Sequence, residues 1–189
     1  DPFGRLAELV HRAVGAARLE GSLTGEVLLV LVADIGARHV LVLDRCDALA
    51  DLATLPLAEW RRFIDGHLTG AFLCSKHALP ALRAHGGAIV NIASSRVHQS
   101  EAHTEPYAAA KGGLAALTHA LAVSEGPSVR VNAISPGWIA TEAWRGPARR
   151  RRPKLSRRDH GQHPAGRVGT PEDIATLAVW LLAPALSGF

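Results

Sequence analysis

The sequence predicts an α/β fold: a doubly wound parallel sheet covered by helices on both faces, in one domain spanning 1–189. Two observations point there. The strand candidates are apolar throughout instead of alternating, as strands buried on both faces must be. They also alternate with long helical patterns, which gives right-handed crossovers and a three-layer αβα arrangement. In such folds ligands bind beyond the carboxyl ends of the strands. The polar turns that follow two of the strand candidates then share one rim.

The elements follow in order. Leu6, Leu9, Val10, Ala13, Val14 and Ala17 recur at helical spacing, so residues 5–18 read as an amphipathic helix. Gly25 to Ile35 is apolar with few breaks and fits a buried helix or a strand; periodicity does not decide between them. Gly36-Ala37 interrupts it, and His39 to Leu43 reads as a short buried strand ending at Asp44-Arg45. Pro56 to His85 reads as one long helix with a stripe of Leu57, Trp60, Phe63, Ile64, Leu68, Phe72 and Leu73. Gly66 and Gly70 inside it invite a bend or a close neighbour. After Gly86-Gly87 comes a compact strand, Ala88 to Ala93, then a second long helix from Pro106 to Ser124. Val129 to Ile134 is the next strand, stopped by Ser135-Pro136-Gly137. The last helix opens with Thr170 as N-cap, Pro171 at the first helical position and Glu172 and Asp173 at the positive end of the dipole.

Composition excludes several classes. About half of the 189 residues are apolar and a fifth are charged, as in ordinary globular domains. The longest apolar run, Val27 to Ala33, is far too short to cross a bilayer, so no membrane partner is expected. The chain opens on Asp1-Pro2 and a mixed polar stretch, with no signal peptide pattern. Cys46 and Cys74 have no metal-ligand partners at suitable spacing and read as reduced thiols of a cytoplasmic protein. The net charge of +4 is lopsided: nine basic residues and one acid, Asp159, lie between Arg145 and Arg167. A basic run attracts phosphates. Without aromatic platforms, though, it reads as a solvated loop and not a nucleic-acid site.

Chemistry enters with Tyr107 and Lys111, four residues apart on one helical face. A phenol titrates near 10, and an ammonium a few ångströms away favours its ionised form. Such a tyrosine exchanges protons with an alcohol or carbonyl oxygen near neutral pH. Ser94 ends the preceding strand, thirteen residues before Tyr107, where its hydroxyl can hold the same oxygen. Tyr107 is the chain's one tyrosine.

The ordered set "GGAIVNIASS", "EPYAAAKGGLAALTHALAV", "VRVNAISPGWIAT" and "HPAGRVGTPEDIATLAVWLL" resembles the short-chain dehydrogenases/reductases, from about Leu55 onward. The resemblance implies a Rossmann-like fold and an NAD(P)-dependent enzyme interconverting an alcohol and a carbonyl of a small-molecule substrate, as a homodimer or homotetramer. Tyr107 would be the general acid/base. Lys111 would lower its pKa and bond the nicotinamide ribose, and Ser94, in preference to Ser95, would orient the substrate oxygen. Pro136, Gly137, Ile139 and Thr141 fall where the family contacts the nicotinamide end, and the basic stretch from Arg145 to Arg158 falls at its substrate-covering segment.

Three departures qualify the resemblance. His67 stands in "HLTG" where the family carries an Asn that holds a helix bend and a water on the proton path. It is read as either a proton-passing or a packing residue. No glycine-rich phosphate loop is present. If Gly25 takes the place of its last glycine, a helix follows and Asp44 ends the second strand, where an acid favours NAD over NADP. On a rival alignment Leu43-Asp44-Arg45-Cys46 replaces the family's Asn-Asn-Ala-Gly segment, and Asp44 says nothing about the cofactor. The final strand is missing as well. The alternative function is therefore a non-catalytic scaffold that has lost dinucleotide binding.

Overall fold

The computed structural model describes residues 29–31, 39–43, 51–144 and 151–183. Among the described residues four strands form one sheet, in the order β1 (Leu29–Leu31), β2 (His39–Leu43), β3 (Ala88–Ile92) and β4 (Arg130–Ile134). The strands β2, β3 and β4 run parallel, with His39 opposite Ala88 and Ile92 opposite Ile134. The pairing continues past the strand ends, where the Ala93 amide donates to the Ile134 carbonyl at 2.7 Å and the Ser95 amide to the Pro136 carbonyl at 2.9 Å.

β1 departs from the expected all-parallel sheet, because it pairs antiparallel with β2 and sets Leu29 opposite Leu43. This settles the ambiguity of the Gly25 to Ile35 run in favour of a strand over Leu29–Leu31. It also corrects the Gly25 alignment, which required a helix there.

The β3 strand is buried at all five positions, and the pleat sends alternate side chains to two cores. On one face Ala88, Val90 and Ile92 join Ile134, Ala178, Leu181 and Leu182. On the other, Ile89 packs with Leu82, Val129 and Val131, flanked by Ala78, Leu79, Leu121 and Ala122. The expected three layers are present in the described residues.

The long helical stretch is not uniform. Helix α1 (Leu57–Ile64) passes into one π-helical turn, Asp65–Thr69, before helix α2 (Gly70–His85). The Gly70 amide reaches back five residues to the Asp65 carbonyl, and the Thr69 hydroxyl donates to the Asp65 carboxylate at 3.1 Å. Wide turns of this kind occur within helices near functional sites. This one faces helix α3 (Glu105–Glu125), where an added methyl at Gly113 would lie 2.7 Å from Leu68 Cδ2. The glycine lets the two backbones approach. Helix α2 ends at Gly86 in the left-handed region (φ 67), as its glycines predict.

At the far side, helix α5 (Pro171–Leu182) starts as its sequence predicts, with the Thr170 amide donating to Asp173 Oδ2 at 2.8 Å. Arg167 grips both oxygens of Asp173, at 2.7 and 2.6 Å, and holds that carboxyl well below the usual carboxylate range. The Arg130 side chain of β4 donates to the Leu181 and Leu182 carbonyls at 2.6 and 3.1 Å, tying the sheet to the C-terminal end of α5. In the basic segment, Arg151, Arg152, Lys154, Arg157 and Arg158 are exposed, consistent with a solvated face. That segment also forms a short helix, α4 (Arg157–Gly161), capped by Ser156 and Asp159.

Candidate active site

Three of the four expected catalytic side chains meet beside the carboxyl end of β3, and the fourth, Ser94, lies on that strand end. Helix α3 begins at Glu105 with Pro106 in its first turn, so Tyr107 enters the core one turn before Lys111. Both are buried, Tyr107 at 5% and Lys111 at 1% exposure. The Lys111 ammonium donates to the Ile92 carbonyl at 2.7 Å and lies 5.7 Å from the centre of the Tyr107 ring. A wholly buried ammonium demands such an acceptor, because removing it from water is costly. Ile92 is two residues before Ser94, so one strand end carries both the anchor for Lys111 and the serine.

Ser94 is buried, with extended backbone, and its hydroxyl accepts from the Arg96 amide at 3.2 Å, capping a short turn over Ser95–Val97. Helix α3 packs against that turn. Ser95 is half-buried and its amide binds Pro136, so the turn after β4 lies directly beside the serines.

His67 also reaches the site. The π-helical turn directs its ring inward, edge-on to Tyr107 with centroids 5.0 Å apart and stacked on Phe63 at 5.6 Å. Burial, then the nearby charges of Lys111 and Arg62, lower its pKa to about 3. The imidazole is therefore neutral across the ordinary pH range, which narrows the proton-passing reading to a neutral ring. A pH prediction follows. The pKa in the fold lies below the unfolded value of 6.5, so the unfolded chain takes up the proton first. Stability is full above about pH 6.5 and falls by about 1.4 kcal/mol per pH unit down to about 3. Over that window His67→Leu should flatten the acid limb of denaturant-monitored stability relative to wild type. Parallel limbs for the two proteins would refute the assignment.

The expected cofactor residues divide. Pro136 and Gly137 lie at the rim beside Ser95. Ile139 forms an isolated parallel bridge with Gly169, and the Ala140 amide donates to the Gly169 carbonyl at 2.9 Å. A methyl group on Gly169 would run into Ile139 Cδ1. Gly169→Ala should cost about 1–3 kcal/mol by overpacking, read as a lowered melting temperature. An unchanged melt would show that Ile139 moves aside freely. Thr141 is exposed on the same stretch. Asp44 lies outside the described residues, so its place at the cofactor ribose stays an expectation.

Two residues that the sequence reading passed over also cover this rim. Trp138 and His163 pack against each other at 6.2 Å, and a Cβ on Gly137 would meet His163 Cε1 at 4.0 Å. Cys74 is buried, and burial pushes its thiol up to about 11, so it stays protonated. Among the described residues no helix is long and apolar enough to cross a membrane.

Comparison with known proteins agrees with this geometry. A family model described as enoyl-(acyl carrier protein) reductase matches residues 30–189. An "uncharacterized oxidoreductase" of Thermotoga maritima is 53% identical over 136 residues, covering 71% of this chain and 53% of that protein. The cis-4-hydroxycyclohexanecarboxylate dehydrogenase of Sinomonas cyclohexanicum is 39% identical over 160 residues, covering 82% of this chain and 62% of its own. The solved apo SCOR enzyme of Clostridium thermocellum superposes with a TM-score of 0.63 at 38% identity, over 74% of this chain and 53% of that one. The chain thus spans roughly half to three fifths of the length of these relatives. With the family model matching most of its length, the chain belongs to the short-chain dehydrogenase/reductase family.

Proposed function

We propose that the chain is an NAD(P)-dependent oxidoreductase that interconverts a secondary alcohol and a carbonyl, with Tyr107 moving the proton. The observation that carries this reading is the buried Lys111 ammonium, 2.7 Å from the Ile92 carbonyl and one helical turn from a buried tyrosine. A fold keeps a charge so far from water when it has a task. The family uses NAD or NADP. The relative that oxidises a hydroxycyclohexanecarboxylate supports a secondary alcohol as the substrate's reacting group.

The residues present fit the nicotinamide end of such a cofactor. Gly137 offers an open backbone face, since a Cβ there would meet nothing nearer than His163 at 4.0 Å. Lys111 would hold a ribose hydroxyl, and Pro136, Gly137, Ile139 and Thr141 would line the nicotinamide. No glycine-rich phosphate loop occurs among the described residues, so no residue is assigned to the pyrophosphate. The bound nicotinamide supplies or takes the hydride. In the oxidation direction Ser94 holds the carbinol oxygen by a hydrogen bond while Tyr107 accepts its proton. In reduction Tyr107 returns a proton to the carbonyl oxygen. Lys111 stabilises the ionised phenol by its charge, and His67 fixes the tyrosine ring from its edge.

Titration of the purified chain with NADH and NADPH, read by fluorescence, tests the reading. Micromolar binding of either is expected. No binding at millimolar cofactor would leave the non-catalytic scaffold as the function.

A further inference from the structure

We propose that Arg96 is a positioning residue: it fixes the Ser94 hydroxyl relative to Tyr107, so that both groups reach one substrate oxygen. The proposal deepens the dehydrogenase reading above and rests on it.

Ser94 and Tyr107 belong to different elements and are held unequally. Tyr107 sits on helix α3, which Lys111 ties to the Ile92 carbonyl, and its ring stands edge-on to His67. Ser94 follows a strand end. Among the described residues its hydroxyl makes one hydrogen bond, accepting from the Arg96 amide at 3.2 Å. A hydroxyl that accepts there keeps its own proton to donate to a substrate oxygen.

The Arg96 side chain pins the turn that supplies this amide. Its guanidinium donates to the Gln99 carbonyl at 3.0 Å and pairs with the Glu101 carboxylate. The arginine side chain is 23% exposed, against 67% for Glu101, so the guanidinium lies against the protein while the acid faces solvent. One side chain thus closes the loop from Ser94 to Glu101.

The closure continues to the helix that carries Tyr107. The buried Thr104 donates its hydroxyl to the Glu101 carbonyl at 2.6 Å, and its own carbonyl accepts from the Ala108 amide at 2.8 Å, in the first turn of α3. Between Glu101 and Thr104, His103 is left-handed at φ 61, a conformation that a residue with a Cβ keeps where its surroundings impose it. A continuous set of bonds therefore runs from the Ser94 hydroxyl through Arg96 and Glu101 to the turn that presents Tyr107. Two groups that share one substrate oxygen need their separation held, since a displacement of about 1 Å costs up to about 10²-fold in rate.

The test is a double-mutant cycle on the full chain, with cyclohexanol and 2-butanol as the alcohols and NAD and NADP as the oxidants. Arg96→Ala should lower kcat about tenfold, the loss expected of a modest misplacement. KM, NADH affinity and the melting temperature should hardly move, because an ion pair with an exposed partner contributes little to stability. The pH profile of kcat should keep its shape, since Lys111 still governs the acidity of Tyr107. Adding Arg96→Ala to Ser94→Ala should cost no more than about a further twofold, because the arginine acts through that serine. Arg96→Lys, which keeps a cation for Glu101, should recover part of the loss. In hydrogen exchange, the amides of residues 96–104 should open faster in Arg96→Ala while those of α3 keep their protection. Full kcat in Arg96→Ala, or unchanged exchange over 96–104, overturns the proposal and leaves the dehydrogenase reading standing. Additive losses in the cycle, or NADH affinity and melting temperature falling in step with kcat, would make the arginine a structural residue and overturn it too. Cofactor binding without turnover of either alcohol also defeats it. Absence of NADH and NADPH binding in wild type overturns the dehydrogenase reading itself, and this proposal with it. If Arg96→Ala does not fold, Glu101→Ala and its cycle with Ser94→Ala decide.

Discussion

Tyr107→Phe should lower turnover by roughly 10²–10⁴-fold, the range that loss of a positioned acid/base produces. The substitution removes one oxygen and keeps the ring. The edge contact with His67, at 5.0 Å between centroids, is a property of the ring and survives. The 5% exposure of Tyr107 means that the phenyl fills the same buried volume. Stability should change by no more than about 1–1.5 kcal/mol, the net worth of an ordinary hydrogen bond. Cofactor affinity should change little, because Lys111 keeps its anchor on Ile92. The measurement is kcat beside an NADH titration and a thermal melt on the same preparation. Loss of kcat with binding and melting intact assigns the proton to Tyr107. A variant retaining more than a tenth of wild-type turnover would place the acid/base elsewhere.

What the sequence discloses tracks how local its cause is. The start of α5 was legible because a capping acid and a first-turn proline act within one turn; the structure then adds Arg167, whose grip on Asp173 comes from six residues upstream. β3 was legible because five consecutive buried positions leave no polar alternation to mislead. Tyr107, Lys111 and Ser94 could be grouped because helix spacing and a strand end place them. The π-helical turn was only half legible. Gly66 and Gly70 signalled a disturbed helix, but the wide turn itself answers to the packing of Leu68 against Gly113 on another helix. Leu29–Leu31 could not be resolved at all, since an apolar run of that length fits helix or strand until a neighbour pairs with it. His163 carried no signal of its own. A histidine among nine basic residues reads as solvated, and only the folded chain places its ring beside Trp138 and Gly137.

Lys111→Met should abolish activity about as fully as Tyr107→Phe while hardly changing stability, and the contrast is the informative part. The ammonium is 1% exposed and makes a charge-assisted bond to Ile92 at 2.7 Å. Losing that bond costs about 1.5–3 kcal/mol. Against this stands the penalty for holding an ammonium away from water, several kcal/mol, which methionine does not incur. A flexible thioether of similar length fills the same channel. The two terms nearly cancel, so denaturant unfolding should shift by about 1 kcal/mol in either direction. Activity has no such compensation. Without the cation the phenol loses the charge that favours its ionised form, and its burial disfavours that form further, so residual oxidation should climb with pH into the alkaline range. Tyr107→Phe should show no such alkaline climb. Lys111→Arg should not rescue, because a planar guanidinium is too broad for a site that encloses the lysine so completely. A Lys111→Met enzyme with the wild-type pH profile, or one that unfolds outright, would mean that the lysine serves the fold and not the proton. The tyrosine would then need a different source for its acidity.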